Sequence, residues 1–381
     1  MRRIEAMAKR VVFLMSDTGG GHRASAHALA EALHVLHGDA VQCQMVDLLT
    51  HYGTWPLSHA GAYYLPLVEQ HRWLWRLGIG CSNQARLWQA VALSARLWQR
   101  GGLRRFAAEY PADLYVSVHP LLNHAPWWAL RRRYPHTPFA TVITDLASAP
   151  RPWYNPAVDL LSASCSQVQA AALRAGLPPA RVLLGGLPIR LAFAASRPTP
   201  AEARAALRLE QRPTALLLGG GEGMGALEPT AATLAARLAS QGGQLAVICG
   251  RNEALRSRLA RQRWPGAVHV AGYVDNMPLW MAAADLVISK AGPGTIAEAL
   301  ACGLPLILHS YVPGQESGNV RYVQERGVGL FCDDPDQIAA LAVNWLAPGN
   351  AALAAMQARA RVAARPTAAL TIAEALSKLL G

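Results

Sequence analysis

Residues 11–26 read VVFLMSDTGGGHRASA, an apolar run followed by three glycines and an alanine-rich stretch that continues to about residue 36. A run of five apolar residues is typical of a strand buried on both faces of a parallel sheet. Glycines after such a strand let a ligand approach the backbone, and the start of the next helix directs free N–H groups at it. The segment therefore predicts a strand–turn–helix unit that binds a ligand at its turn.

Short apolar runs alternate with helix-like stretches along the rest of the chain, and the strand with its glycine-rich turn at 11–21 recurs at 215–225. The runs are residues 11–15, 41–46, 114–118, 139–143, 160–163, 181–184, 215–218, 245–249, 268–271, 286–289, 306–309 and 329–332. This order predicts the α/β class, with two Rossmann-like domains whose parallel sheets face each other across a cleft and bind ligands at the carboxyl ends of their strands. We place the domains at 1–190 and 213–360, with a linker at 191–212 and a terminal helix at 361–381. The last helix-like stretch covers 351–380 and could pack on either domain.

Composition excludes several classes of protein. The chain has 381 residues, of which 52% are apolar and 16% charged, which excludes a disordered chain and a coiled coil. The net charge is +12 with only three lysines, so we expect an anionic partner: nucleic acid, an acidic membrane or a phosphorylated substrate. The six cysteines form no C-x-x-C pair, which disfavours a zinc site or a disulfide framework and suits a reducing cytoplasm. Apolar runs are too short for a signal peptide or a spanning helix.

The first glycine loop has two functional interpretations. Gly19, Gly21 and Ala24 match the dinucleotide pattern G-x-G-x-x-G/A, and Asp47 ends the second strand as a candidate ribose ligand. That pattern leaves unexplained the histidine after the last glycine, His22, which the positive end of a helix would keep neutral and able to act as a base. A histidine that only caps or packs the helix remains an alternative.

The second half carries two further loops at predicted strand ends. Residues 219–225 form a glycine-rich loop that is either a phosphate cradle or a plain tight turn. Residues 289–300 read SKAGPGTIAEAL, in which glycines, a threonine and a helix start suit a diphosphate. Glu298 suits two ribose hydroxyls or, alternatively, is an ordinary acid in the first turn of a helix. Residues 309–319 end in amides and an acid, which suit sugar hydroxyls or a solvated loop.

Several of these motifs together resemble the monogalactosyldiacylglycerol synthases, over nearly the full chain. The matching segments are residues 16–26, 116–121, 186–190, 272–274, 276–277, 290–300, 313–319 and 322–323. The resemblance implies an inverting glycosyltransferase of the GT-B fold, related to the lipid-II-forming N-acetylglucosamine transferase. It implies transfer of a hexose, galactose first, from a UDP-sugar to 1,2-diacylglycerol with formation of a β-glycolipid. The alternatives are a glucose donor, or N-acetylglucosamine transfer to a polyprenyl-linked acceptor.

The resemblance also assigns roles, with His22 as the catalytic base. Donor binding falls to Gly219, Gly220, Gly221, Arg251, Tyr273, Val274, Met277, Gly292, Gly294, Thr295, Glu298, Gln315, Glu316 and Asn319. Acceptor binding falls to Gly20, Gly21, His119, Asp145 and Trp153. No metal and no cofactor are expected, because backbone N–H groups can meet the charge on the leaving UDP; the one D-x-D, 334–336, is typical of a helix start.

One segment departs from the family pattern. After 142–146 the family has a histidine and a Thr-Trp-Phe-His-like segment, whereas this chain reads ASAPRPWYN at 147–155. Trp153 is retained and the histidines are not, which bears on the acceptor side and on the identity of the sugar.

A membrane partner is expected from residues 55–105. Five tryptophans and seven arginines lie there, and Leu87-Trp88 and Leu97-Trp98 recur ten residues apart, which we interpret as roughly one helix face. Such a helix suits an anionic bilayer surface, although a tryptophan face packed into the core is the alternative. Residues 1–190 carry 19 Lys/Arg against 10 Asp/Glu, and residues 191–381 carry 17 against 14. We therefore expect peripheral binding on the cytoplasmic side of a membrane by the N-terminal domain, and no nucleic acid.

Three other functions remain as alternatives: a UDP-sugar epimerase, a NAD-dependent dehydrogenase and a non-catalytic binding module.

Overall fold

The computed structural model describes residues 8–18, 20–221, 223 and 226–381, without the side chains of Leu65, Glu69 and Arg72. Four glycine-loop residues quoted above, Gly19, Glu222, Met224 and Gly225, lie outside the described residues. The chain divides into two units. The first comprises Met1–Leu191, Pro313–Gln315 and Thr367–Gly381, and the second comprises Ala192–Val312 and Glu316–Pro366.

The first unit is built on a parallel sheet that has six strands in the described part of the chain, in the order β2-β1-β3-β4-β5-β6. Its strands are β1 (Lys9–Met15), β2 (Val41–Asp47), β3 (Leu114–Ser117), β4 (Phe139–Val142), β5 (Leu160–Ala163) and β6 (Val182–Leu184). Its helices before residue 192 are α1 (Gly20–His37), α2 (Leu48–Tyr52), α3 (Ala60–Glu69), α4 (Arg72–Asn83), α5 (Ala85–Trp98), α6 (Arg100–Glu109), α7 (Ala125–Arg133) and α8 (Ser166–Arg174).

The second unit repeats this plan with the strand order β12-β11-β10-β7-β8-β9. Its strands are β7 (Thr214–Leu218), β8 (Gln244–Ile248), β9 (Val268–Ala271), β10 (Leu286–Lys290), β11 (Leu306–Ser310) and β12 (Gly329–Phe331). Its helices are α9 (Pro200–Ala206), α10 (Leu227–Ser240), α11 (Glu253–Arg261), α12 (Met277–Ala283), α13 (Pro293–Ala301), α14 (Ser317–Glu325), α15 (Pro335–Leu346) and α16 (Ala351–Ala363). Every predicted apolar run forms a parallel strand, and the predicted α/β class is confirmed.

The sheets form because their central strands are covered on both faces. All five residues of the run 11–15 are fully buried. Val11, Phe13 and Met15 pack with the apolar side of α1, represented by Leu29 and Leu33, while the alternate residues of β1 face the other side of the sheet. A continuous apolar run is therefore what this position requires.

The C-terminal stretch, predicted as one helix-like element, is broken. Helix α16 ends at Ala363 and a last helix, α17 (Ala368–Leu380), begins after Pro366. Proline has no N–H to donate and disfavours a helical residue before it, so the chain leaves the helix here. Helix α17 belongs to the first unit, where Ile372 and Leu376 join the core of α1 and β1.

The stretch 191–212, predicted as a linker, contains a packed helix. Thr199 caps α9 in a reciprocal arrangement with Glu202, and Ala203 and Leu209 are buried with Ala283 of α12. Short 3-10 turns occur at Gly38–Ala40, Leu57–His59, Pro120–Leu122, Arg151–Trp153, Pro179–Arg181 and Leu191–Phe193. In the described residues no single helix is long and apolar enough to cross a membrane; the two segments Pro335–Leu346 and Ala351–Leu380 meet that criterion only together, across a 91° bend.

Candidate active site

Four polar side chains of the first unit meet at the carboxyl edge of its sheet. Strand β1 lies beside β3, and β3 beside β4, so that the residues after the three strands are neighbours. The four are Thr18, His22, His119 and Thr144. The sheet order thus joins groups that lie more than a hundred residues apart in the sequence.

His22 lies in the first turn of α1 and is 8% exposed. Its Nδ1 is 2.8 Å from Thr144 Oγ1, and its ring centroid lies 4.6 Å from that of His119 and 6.2 Å from that of Trp153. Burial lowers the pKa of His22 to about 4, against a smaller upward effect of a hydrogen bond with the Val118 backbone. The helix terminus that the sequence suggested as the cause is not the main one; desolvation of the ring is. His22 is therefore neutral at physiological pH.

His119, at the end of β3, is a second buried imidazole. Its Nδ1 accepts the Leu121 N–H at 3.3 Å, so its Nε2 carries the proton and donates to Thr18 Oγ1 at 2.9 Å. Burial, and then the proximity of His22, lower the pKa of His119 well below its ordinary value. Both rings are neutral, and a positive charge on one disfavours a positive charge on the other.

Trp153, whose ring neighbours that of His22, is hydrogen-bonded to Asp145. The Trp153 indole N–H donates to Asp145 Oδ2 at 2.6 Å, and the two residues are 0% and 5% exposed, Trp153 being the fully buried one. By contrast, Gly20 and Gly21 are exposed, and a Cβ on either would meet no other atom within 4 Å. Packing of the chain therefore does not require glycine at these positions, and their role in acceptor binding stays a prediction.

Asp47, the ribose ligand of the dinucleotide interpretation, is used within the fold. Its carboxylate accepts the N–H and the hydroxyl of Thr50 and caps α2, and it also accepts the Asp17 N–H. A carboxylate with these donors and 6% exposure of the residue is not presented to a ribose.

In the second unit, the two glycine loops follow the neighbouring strands β7 and β10. Gly219 needs to be glycine for packing, since a Cβ would lie 2.5 Å from Leu227 Cδ1 and 2.7 Å from the Gly223 backbone. A Cβ on Gly294, at the second position of α13, would meet nothing within 4 Å. Gly292 comes directly before α13 and precedes Thr295 in its first turn. The loops present backbone N–H groups and the positive end of α13 at one sheet edge.

Lys290, the last residue of β10, adds a cation between these loops. A Cβ on Gly220 would lie 3.2 Å from Lys290 Cε, and one on Gly292 would lie 3.5 Å from Lys290 Nζ. The ammonium pairs with Glu316 Oε1 at 2.5 Å, and Glu316 Oε2 accepts the Val312 N–H at 2.9 Å. Sequence reasoning missed Lys290 as a site residue, although its place at a strand end, and the rarity of lysine in this chain, were signals.

The other predicted donor residues occupy different parts of this edge. The Arg251 guanidinium lies 4.9 Å from the ring centroid of Tyr273, which is 63% exposed. Val274 and Met277 are half-buried, and Met277 begins α12. Glu298 lies beyond the first turn of α13, so its interpretation as a first-turn acid is wrong: the helix begins earlier, at Pro293.

The segment after β11 contributes residues to both units. Asn319 is 1% exposed and donates to the Ala291 carbonyl at 2.9 Å, which braces the loop before α13. Gln315 groups with the first unit, where its carbonyl accepts the Ser148 hydroxyl at 2.6 Å and its side chain lies 3.4 Å from the Tyr64 hydroxyl. His309, at the end of β11, is a further buried histidine with a pKa lowered to about 4 by burial.

Asp334 and Asp336 mark a helix start, as predicted. Asp334 caps α15 by accepting the Gln337 N–H, and Asp336 lies in the first turn. Among the described residues, no group of three or more histidine, cysteine or acidic side chains is arranged to hold a metal ion.

The tryptophans of α5 do not share a face, which corrects the sequence interpretation. Trp88 is 8% exposed and donates its N–H to His124, whereas Trp98 is 48% exposed. Ten residues at 100° each leave the two side chains about 80° apart on a helix. Trp88 belongs to the core, and the exposed apolar side chains are its neighbours on the other sides of α5 and on α4.

Comparison with known proteins places this geometry in a family. Residues 22–189 match the model of the monogalactosyldiacylglycerol synthase family, and residues 214–364 match that of the glycosyltransferase family 28 C-terminal domain. A probable chloroplastic monogalactosyldiacylglycerol synthase 2 of Oryza sativa subsp. indica is 39% identical over 98% of this chain and 81% of its own length. Monogalactosyldiacylglycerol synthase 3 of Arabidopsis thaliana is 37% identical over 97% of this chain and 81% of its own length. The crystal structure of MurG from Acinetobacter baumannii superimposes with a TM-score of 0.60 at 16% identity, over 97% of this chain and 99% of that one, which shows the shared GT-B fold.

Proposed function

Because the chain belongs to the monogalactosyldiacylglycerol synthase family, we propose that it transfers galactose from UDP-galactose to the free hydroxyl of 1,2-diacylglycerol and forms a β-glycolipid. The observation that carries this proposal is the neutral, buried His22 at the carboxyl edge of the first sheet, in the segment that matches the family. An imidazole of this kind is an acceptor for one proton, which is what activation of an alcohol requires.

The reaction is a single displacement. His22 takes the proton of the diacylglycerol hydroxyl as its oxygen forms a bond to the anomeric carbon of the sugar. The bond from that carbon to the diphosphate oxygen breaks on the opposite side, and UDP leaves with the electron pair. Attack opposite to the leaving group turns the α-linked donor into a β-glycoside. A positioned base contributes typically about 10²–10⁴-fold to such a rate.

The second unit holds the UDP-sugar in this proposal. The loop at 219–221, the start of α13 and the Lys290 ammonium surround a place for the diphosphate, and their N–H groups and charge meet the negative charge that develops on UDP. Tyr273 and Met277 flank the uracil, and Glu298 accepts the ribose hydroxyls. Glu316 holds the Lys290 ammonium in place and does not contact the sugar, because it is buried and both of its carboxylate oxygens already accept hydrogen bonds. No metal and no cofactor take part in the proposed step.

A membrane-facing surface accompanies this activity. Of seventeen large apolar side chains that are exposed in the described residues, ten lie between residues 55 and 98. Residues 55–105 also carry seven arginines and one glutamate. Exposed tryptophan and leucine together with arginine suit the boundary of an anionic bilayer, from which the two-chain acceptor comes. We place the protein peripherally on the cytoplasmic side of a membrane, without nucleic acid as a partner.

A donor panel tests the proposal. The purified protein is incubated with diacylglycerol vesicles and labelled UDP-galactose, UDP-glucose or UDP-N-acetylglucosamine, and the lipid product is analysed for its sugar and its anomeric configuration. We expect a β-linked galactolipid. If the product is a β-glucolipid, the donor is UDP-glucose and the proposed mechanism still holds. If none of the three donors gives a lipid glycoside, the proposal is contradicted.

A further inference from the structure

We propose that Thr144 is a positioning residue that holds His22 in one tautomer, with the proton on Nδ1 and the lone pair on Nε2. This inference rests on the proposed function for its consequence, because Nε2 is then the atom that receives the proton of the acceptor hydroxyl. The arrangement of hydrogen bonds itself is independent of which substrate the protein uses.

The tautomer follows from counting protons along one chain of hydrogen bonds. The Thr144 hydroxyl donates its single proton to the Val118 carbonyl at 3.3 Å. With that proton directed at the Val118 carbonyl, the hydroxyl accepts from His22 Nδ1 at 2.8 Å, and we assign Nδ1 as the donor. A neutral imidazole with its proton on Nδ1 has its lone pair on Nε2.

The sheet holds both hydrogen-bond acceptors, the Val118 carbonyl and the Thr144 hydroxyl, in place. The Val118 N–H donates to the Leu14 carbonyl at 3.0 Å, which continues the pairing of β3 with β1. The Ile143 N–H donates to the Ser162 carbonyl at 3.0 Å, which continues the pairing of β4 with β5 up to the residue before Thr144. Thr144 is itself 5% exposed, and its β-branched side chain has few rotamers. Movement of the Thr144 Oγ1 atom away from His22 is therefore restricted.

The neighbouring imidazole has the opposite tautomer, which keeps the two proton paths separate. His119 carries its proton on Nε2 and directs it to Thr18, so it does not compete for the Thr144 hydroxyl. A neutral hydroxyl also orients His22 without adding a negative charge beside it, and the ring remains unprotonated in its buried position. Thr144 thus acts through His22 and is not itself expected to touch the substrate.

Three variants test the inference. Thr144→Val removes the hydroxyl at nearly constant volume, Thr144→Ser retains it, and Thr141→Val removes a different buried hydroxyl of β4, which bonds to Asn123. The tautomer of His22 is read in the ligand-free protein by 15N NMR of labelled histidines, with His22→Gln to assign the signal. We expect the Nδ1–H form in the wild type, in Thr144→Ser and in Thr141→Val, and a shift toward Nε2–H in Thr144→Val.

Kinetics supply the second readout. We expect kcat of Thr144→Val to fall about 10- to 100-fold, a part of what a positioned base supplies, with an unchanged KM for the UDP-sugar and recovery in Thr144→Ser. An Nε2–H form of His22 in the wild type overturns the inference, even if Thr144→Val fails to fold. So does a folded Thr144→Val protein with wild-type tautomer and kcat. Failure of the proposed function has a different signature, namely no glycolipid from the wild type, and leaves the NMR result to decide the role of Thr144.

Discussion

Lys290 Nζ lies 2.5 Å from Glu316 Oε1, in an ion pair whose side chains are only 18% and 4% exposed. The carboxylate is held in addition by the Val312 N–H, so its position is fixed from two sides. The ammonium is thereby held between Gly220 and Gly292, where the proposed diphosphate would need a cation.

We predict that Lys290→Met weakens UDP binding about 10- to 100-fold, because a hydrogen bond to a charged group contributes roughly 1.5–3 kcal/mol. The single variant also leaves the Glu316 carboxylate buried without its cation, which lowers the free energy of unfolding. Calorimetric titration with UDP and urea unfolding measure the two effects. The double variant Lys290→Met/Glu316→Gln should recover stability and not UDP affinity; recovery of both would mean that Lys290 serves only the fold.

Replacement of the proposed base should separate chemistry from donor binding. We predict that His22→Gln lowers kcat about 10²–10⁴-fold and changes UDP affinity less than about twofold, because the proton acceptor is lost while the second unit is untouched. The matched control is His27→Gln, an exposed histidine on the same helix, which should retain wild-type turnover. Equal turnover of the two variants would exclude His22 as the base.

The glycines of the second unit should divide into two kinds. Gly294→Ala should raise the melting temperature slightly, since alanine stabilises a helix by about 0.5–1 kcal/mol over glycine and a Cβ meets nothing here, yet it should weaken UDP binding. Gly219→Ala should destabilise the unit, since its Cβ would clash with Leu227. Thermal melts with and without UDP measure both. Undiminished UDP affinity in Gly294→Ala would place the diphosphate elsewhere.

Buried neutral histidines should make stability fall on the acid side. The pKa values of His22 and His309 are lowered from 6.5 to about 4. Below pH 6.5 the unfolded chain takes up protons that the folded chain does not, so the free energy of unfolding falls as pH drops from 6.5 to about 4, by roughly 3 kcal/mol for each residue. Urea unfolding at pH 7.5, 5.5 and 4.5 measures the slope. His309→Gln should flatten it, and an unchanged slope in that variant contradicts the assignment.

The exposed apolar surface of α4 should govern association with membranes. Trp73→Ser/Leu77→Ser removes side chains that are 66% and 58% exposed, and it should reduce cosedimentation with phosphatidylglycerol vesicles several-fold. Binding of the wild type should weaken with added salt, since the proposed docking brings arginines to anionic lipid. Val362→Ser, 87% exposed in the second unit, is the control and should bind normally. Equal loss in control and test variants would show a general effect of apolar surface.

The strands were predictable because a central strand of a parallel sheet is apolar on both faces, and such runs are visible in a linear sequence. Glycine loops and helix starts were also visible, because each depends on residues that are close together in the sequence. Asp334, which caps α15, is an example. The interpretation of Trp88 and Trp98 was wrong because helix position depends on the angle per residue, and ten residues do not close a whole number of turns. The break before α17 could have been predicted from Pro366 alone. The packing of that helix on the first unit could not, because the core that it joins is assembled from strands distant in the sequence.

Local patterns of the sequence thus determined the type of each element, the strand positions, the family motifs and the candidate base. The properties that make His22 a base were not, since its burial, its pKa and its tautomer depend on Thr144 and Val118, about a hundred residues away or more. The ion pair between Lys290 and Glu316, which are 26 residues apart, likewise depends on the folded structure. Local periodicity determines which segments become strands and helices, but proton positions and charge pairing depend on which strand ends become neighbours, and the order of strands in the folded sheet establishes that.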